Sequence, residues 1–422
     1  MPMKPVADRL IIKHAAELIT CSGFTAKKGR EMSELHIIRD GAVIVEHGVI
    51  AVVGKTSDII TPADEKKSVV IDATGKTVLP GFVDSHTHFV FGGDRALEST
   101  WRLAGDSYME IMQRGGGIAA SVKATRALGE KALIEICAQR LDSMLDFGVT
   151  TVEGKSGYGL DLETELMQLR VMGELNRIHP VDVVPTYMGA HALPDEFKGK
   201  EEAYIDYIIA TVLPQIAEEQ LAEFCDVFCE QGVFSVPQSR RLLQAAKGFG
   251  LKVKIHADEI VGLGGAGLAA ELGAVSADHL LMSSDSDLLA MRTSGVIATL
   301  LPGTAFSLRE PYARARFMID QGLAVALATD FNPGSCYTES IPLVIALAAL
   351  QMWMSPAEII TALTINGAAA LNKANRIGSI DVGKNADLVI HNCPSHSFLT
   401  YHIAINNVAM VIKNGRIIKD GR

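Results

Sequence analysis

Between residues 80 and about 380 the chain repeats one alternation, a short apolar run followed by a longer helical stretch, eight times over. The apolar runs are PGFVDSHTH, GVTTVEGK, VDVVPTYMGA, CDVFCE, LKVKIHAD, AVSADHL, GVIATLLPG and LAVALATD. Amphipathic stretches such as EEAYIDYIIATVLPQIAEEQ and PQSRRLLQAAKGFG follow most of them. Strands separated by helices pair in parallel, because the helix carries the chain back before the next strand starts. Eight such units close a (β/α)8 TIM barrel of roughly 250 residues.

The 422 residues exceed one barrel. Residues 1–79 read instead as short strands and turns, for example LHIIRDGAVIVEHGVIAVVG and SVVIDATGKTVL, with Gly or Asp-Gly at the reversals. The same style returns from residue 380 in GKNADLVIHN and VAMVIKNGRII. Residues 1–79 and 380–422 are therefore expected to build one small composite β-sandwich domain, with the barrel over 80–379. The connection from the first barrel strand to the second is the longest. It carries RGGGIAASVKATR and an extra helix before the one ending near Phe147.

Hydrophobic residues make up 48% of the chain, enough for a large core, and the formal net charge is −10. That balance argues against a nucleic-acid partner, since phosphate binding needs a basic surface. It leaves room for a small anion held by one or two local cations. The opening MPMKPVADRL has no apolar core of a secretory leader. The longest apolar run, Ile341 to Met354, is too short to span a bilayer and reads as a buried barrel helix. The six cysteines lack framework spacing, and the Cys225/Cys229 pair has no second Cys/His pair nearby. Buried free thiols, a reducing cytoplasm and no membrane association are the expectation.

The ionisable residues collect at strand ends. The first strand ends in His86-Thr87-His88, and side chains at i and i+2 share a face, so both imidazoles can enter the barrel mouth. The fifth strand ends at His256, the sixth at His279 and the eighth at Asp330. Barrel enzymes carry their active sites at this C-terminal face. One strand-end histidine is more often a hydrogen-bonded core residue, but five ionisable residues on four strand ends point to a shared site. Three imidazoles and a carboxylate suit one borderline ion such as zinc or ferrous iron. The parity of the fifth strand also puts Lys252 and Lys254 on the side of His256, and the sequence offers no reason for them.

PGFVDSHTH resembles the first-strand signature of the amidohydrolase superfamily, and NGAAALNKANRIGSIDVGKNADLVI is similar to the segment by which its members return to their β domain. A narrower resemblance is to the imidazolonepropionase family. It rests on GGDRALE, EGKSGYGL, MGAHALP, HADE, SADHL and ATDFNPGS, placed in order after or at the first, second, third, fifth, sixth and eighth strands. The resemblance implies His86, His88, His256 and Asp330 as ligands of one zinc or iron ion per chain. Many relatives hold two metals bridged by a carboxylated lysine on the fourth strand. Here that strand has no lysine, Glu230 is the alternative bridge, and Lys155 lies on the second strand, so a single ion is expected.

His279 is then free for proton transfer, a task its near-neutral intrinsic pKa suits. Glu259, three residues after His256, is expected to meet the substrate and bond or protonate a ring nitrogen. Asp330, His279 and Glu259 share the proton work in an order the sequence leaves open. Arg95 offers a planar fork for a carboxylate. Tyr158 and His191 follow the second and third strands on the same rim. Asn332, Gly334 and Ser335 form the loop after Asp330, with backbone and side-chain donors. The implied reaction is hydrolytic ring opening of 4-imidazolone-5-propionate to N-formimino-L-glutamate in histidine degradation, by a homodimer. A nucleobase deaminase or another cyclic amidase is the rival, and Arg95 with Tyr158 separates them, because a neutral base needs no carboxylate clamp. A non-catalytic barrel kept for assembly is disfavoured by the complete ligand set.

Overall fold

The structure, a computed structural model, describes residues 9–105, 110 and 114–421. The opening MPMKPVAD, read above for a leader, lies outside the described residues.

Eight parallel strands form the central sheet: β1 (Phe82–Asp84), β2 (Val149–Lys155), β3 (Asp182–Ala190), β4 (Phe224–Cys229), β5 (Lys252–Ala257), β6 (Ser276–His279), β7 (Ile297–Leu300) and β8 (Val325–Leu327). They neighbour one another in chain order from β1 to β8. The register brings Phe228 beside His256 and His256 beside Asp278. Closure between β8 and β1 is made just beyond their regular ends. Asp330 N donates to His86 O at 3.0 Å and His88 N to Phe331 O at 2.9 Å. Thr329 N and Oγ1 donate to the buried Asp84 carboxylate at 3.0 and 2.6 Å. Regular pairing therefore stops at Asp84 and Leu327, short of the expected ends at His88 and Asp330. The seam substitutes side-chain and isolated backbone bonds for a ladder, and Asp330 turns out of extended backbone with φ 53°.

The helices form where local signals agree. Asp161 caps Leu162–Ile178 by accepting from Thr164 N at 2.8 Å. Ser235 and Gln238 form a capping box at the start of Val236–Gly248. The apolar run beginning at Ile341 is the barrel helix Ile341–Gln351, buried on most of its surface. The long β1–β2 connection carries Ala96–Ala104, Ile118–Arg126 and Glu130–Asp146.

Two further sheets lie beside the barrel. One orders Val49–Lys55, Gly41–Glu46, Arg9–Ala15 and Val69–Asp72. The other interleaves both ends of the chain, with Leu388–His391 antiparallel to Thr77–Pro80. Leu10, Ile12 and Val43 from the first sheet share a buried core with Val78, Leu388 and Met410 from the second. Two sheets with one apolar core between them make a β-sandwich. Within the second sheet, the segment between Glu17–Ile19 and Ile37–Ile38 straps onto the barrel: Lys27 N donates to Asn366 Oδ1, and Asn366 Nδ2 to Val325 O. All six cysteines are buried and unpaired. Among the described residues, no helix is long and apolar enough to cross a membrane.

Candidate active site

A cavity of about 420 Å³ opens at the C-terminal face of the barrel. Its wall contains His88, His256, His279, Asp330, Glu259, Arg95, Tyr158, His191, Asn332, Gly334 and Ser335, the expected set apart from His86, which lies beneath it.

The innermost atoms are closely spaced. His88 Nε2 and His256 Nε2 are 3.3 Å apart, and Asp330 Oδ1 lies 3.4 Å from His86 Nε2 and 3.5 Å from His88 Nε2. A tetrahedral ion with bonds of about 2.1 Å has ligand–ligand edges of about 3.4 Å. The donor spacing therefore fits one ion. Orientation agrees. Asp278 Oδ2 holds His86 Nδ1 at 2.6 Å, and Asp226 Oδ2 lies 3.0 Å from His256 Nδ1. Each carboxylate favours the proton on Nδ1 and leaves Nε2 basic, the tautomer that a metal-ligating imidazole with a carboxylate behind it adopts. His86 Nε2 is buried without a hydrogen-bond partner among the described residues. Burial, with Lys155 next, pushes His86 well below the usual imidazole range. Burial, with His191 next, does the same to His88, and burial with His256 next to His279. Neutral imidazoles are what a cation needs.

Asp330 presents Oδ1 to the histidines because the Thr304 hydroxyl occupies Oδ2. Burial raises its carboxyl to about 6, against the Thr304 hydrogen bond. His279 also stands close, its ring within donor reach of His86 and His256, while its Nε2 lies 3.5 Å from Glu259 Oε2. Burial first, then Asp330 and Glu230, raise Glu259 to about 8. A carboxyl so placed favours its protonated form near neutral pH. Glu230 turns away from the histidine cluster: it accepts from Ile260 N and Val261 N and so fixes the turn that carries Glu259.

On the outer wall Arg95 Nε and Nη2 both lie 2.7 Å from Glu98 Oε2. A Cβ at Gly334 would meet Arg95 Nη1, so a side chain there would displace the guanidinium. His191 stacks on His88 with ring centroids 4.9 Å apart, and Tyr158 meets His191 edge-on at 5.3 Å. Burial, with His256 next, lowers His191 to about 3. The loop after Asp330 is organised from within. Asn332 Nδ2 donates to Asp330 O and Ser335 Oγ, while its Oδ1 accepts from the backbone N of Gly334 and Ser335 at 2.8 Å. Asn332 thus shapes the loop, and the loop's N–H groups turn toward Asn332 itself.

Sequence reasoning missed Glu98, Asp226, Asp278 and Thr304. The roles of two of them lie between strands: Asp226 backs His256 from β4, and Asp278 backs His86 from across the barrel. Models of the amidohydrolase family match residues 228–418 and 69–129. The imidazolonepropionase of Clostridium tetani is 60% identical over 409 residues, 97% of this chain and 98% of its own. That of Parabacteroides distasonis is 56% identical over 410 residues, 97% and 99%. The chain belongs to the imidazolonepropionase family. It is an amidohydrolase, a hydrolase of C–N bonds in cyclic amides. A mutant atrazine chlorohydrolase from Arthrobacter aurescens TC1, complexed with zinc, is similar at TM-score 0.76 and 15% identity, over 98% of this chain and 95% of that one. That likeness establishes the shared fold. The site described here is a cluster of side chains with the spacing to hold a metal ion.

Proposed function

We propose that this chain opens the ring of 4-imidazolone-5-propionate with water, giving N-formimino-L-glutamate in histidine degradation. The carrying observation is that the cluster of histidines with Asp330 and the guanidinium of Arg95 face one cavity. In this reading His86, His88, His256 and Asp330 hold one zinc or iron ion per chain. Bound there, the ion supplies Lewis-acid activation of water and of the ring carbonyl.

The chain's own groups do the rest. Arg95, held by Glu98, binds the propionate, with Tyr158 and His191 closing the same side of the cavity. Water adds to the ring carbonyl carbon and the ring C–N bond breaks. The water's proton passes to Asp330 or His279, both beside the reacting centre. Glu259, which favours its protonated form near neutral pH, is the donor to the leaving ring nitrogen, and His279 beside it can return the proton to Glu259. Asn332 holds Gly334 and Ser335 on the cavity wall, where they would meet the substrate. Six buried free thiols support a cytoplasmic location, and the enzyme is read as a homodimer.

The test compares 4-imidazolone-5-propionate with an imidazolone lacking the carboxylate and with cytosine, using metal-loaded protein and nuclear magnetic resonance of the products. Ring-opened N-formimino-L-glutamate without free ammonia is expected from the first, with strong discrimination against the other two. Ammonia release with the ring intact would instead establish a deaminase.

A further inference from the structure

Beneath the histidines lies a second cluster with metal-ligand spacing. His86, Glu153 and Asp278 bring donor atoms within 4.8 Å of one another, all buried. Three carboxylates lie here, on Glu153, Asp226 and Asp278, each fully buried. Such a concentration of negative charge inside a barrel invites a cation. Two are already built in. Lys155 Nζ lies 2.7 Å from Asp226, 2.9 Å from Glu153 and 3.7 Å from Asp278. Lys254 Nζ lies 2.8 Å from Glu153 and 3.7 Å from Asp278, and donates to Ser85 O at 2.9 Å. Both lysines are themselves fully buried.

We infer that the ammonium groups of Lys155 and Lys254 are fixed cations filling a would-be second metal site, and that they keep this centre mononuclear. An ammonium hydrogen-bonded to a carboxylate competes directly with a metal for the same oxygen lone pairs. It also repels an arriving divalent ion at short range in a medium of low dielectric. The two lysines thus occupy the space between Glu153, Asp226 and Asp278, with Asp226 behind His256 and Asp278 behind His86. The missing lysine of β4 is thus half of the account of a single ion. The other half is the presence of lysines on β2 and β5, whose side chains converge on the same interior carboxylates. Lys252, by contrast, is exposed at the start of β5.

The inference rests on the reading of His86, His88, His256 and Asp330 as the occupied site. Wild type and the Lys155→Met/Lys254→Met double variant would be stripped, titrated with zinc or manganese, and analysed for metal per chain. Wild type is expected to saturate at one equivalent and the double variant at two, with its melting temperature rising again as the second equivalent enters. A folded double variant that stops at one equivalent overturns the inference. Wild-type crystals grown in excess manganese give an independent reading whether or not the variant folds. One anomalous peak at the upper histidines is expected, and a second peak among His86, Glu153 and Asp278 overturns the inference. No metal bound to wild type at all would overturn the underlying site assignment instead.

Discussion

Glu98 grips Arg95 through a single oxygen: Oε2 lies 2.7 Å from both Nε and Nη2 of the guanidinium and also accepts from Gly117 N at 3.1 Å. One carboxylate therefore orients the arginine and ties its helix to the Gly-rich turn of the β1–β2 connection. Nη1 is left on the side of Gly334, where a Cβ would obstruct it. A hydrogen bond to a charged group contributes about 1.5–3 kcal/mol. Arg95→Met is expected to lower kcat/KM by roughly one to two decades. Glu98→Gln keeps the shape but weakens the grip, and should raise KM several-fold with kcat and metal content nearly unchanged. Steady-state kinetics on both variants decide this. A Glu98→Gln protein with wild-type KM would mean that Arg95 needs no anchor.

His279 and His256 are neighbours, their ring centroids 5.2 Å apart, yet different roles are assigned to them. His256 has a carboxylate behind it, and His279 faces Glu259. His279→Ala is expected to retain metal and lose turnover by ~10² or more, the usual effect of removing a proton-transfer group. His256→Ala should lose the metal. Equal loss of metal in the two variants, measured by elemental analysis after dialysis, would make His279 a ligand.

Removal of an outer carboxylate typically weakens metal affinity by about 10–100-fold. Asp278→Asn retains a side chain of the same size behind His86, but its amide can no longer act as the charged acceptor for Nδ1. Competition with a chromogenic chelator should show the affinity falling within that range. Activity at saturating metal should recover in large part. Unchanged affinity would detach Asp278 from the metal site.

The cluster at the barrel mouth was legible because strand parity works within one strand. His86 and His88 are two apart, His256 and Asp330 end apolar runs, and the resemblance orders them along the chain. The carboxylates behind them were not, because their meaning lies between strands. Asp278 matters only once the closed barrel brings His86, just beyond β1, to it, and Asp226 only once the pairing of β4 with β5 brings His256 beside it. No single-strand pattern contains either juxtaposition. Lys254 was visible as an anomaly of parity and acquired its reason only when Glu153, on β2, appeared opposite it. Asn332 shows the converse. Its residue type suggests a donor to the substrate, but the tight turn after Asp330 engages the whole amide. Thr304 and Glu98 sit on helices, where an apolar-strand reading does not look.

The last expectation concerns stability rather than catalysis. His391, in the strand Leu388–His391 of the sandwich, is buried, and neither ring nitrogen has a hydrogen-bond partner among the described residues. Its ring meets Phe82 edge-on with centroids 5.6 Å apart. Burial lowers the imidazole from 6.5 to about 3. The unfolded chain therefore binds a proton below pH 6.5 that the folded chain refuses down to pH 3. Its contribution is neutral above pH 6.5, and stability is lost as pH falls from there toward 3, at up to about 1.4 kcal/mol per pH unit. His391→Phe removes this titration and two unsatisfied buried nitrogens. Metal-free wild type and variant should melt at similar temperatures at pH 7.5, with the variant no lower by more than a few degrees. Between pH 6 and 4 the wild type should fall more steeply. Carboxylate titrations are common to both proteins, so the difference between the two curves isolates His391. Parallel melting curves across that range would show that this imidazole reaches water and protonates in the folded state.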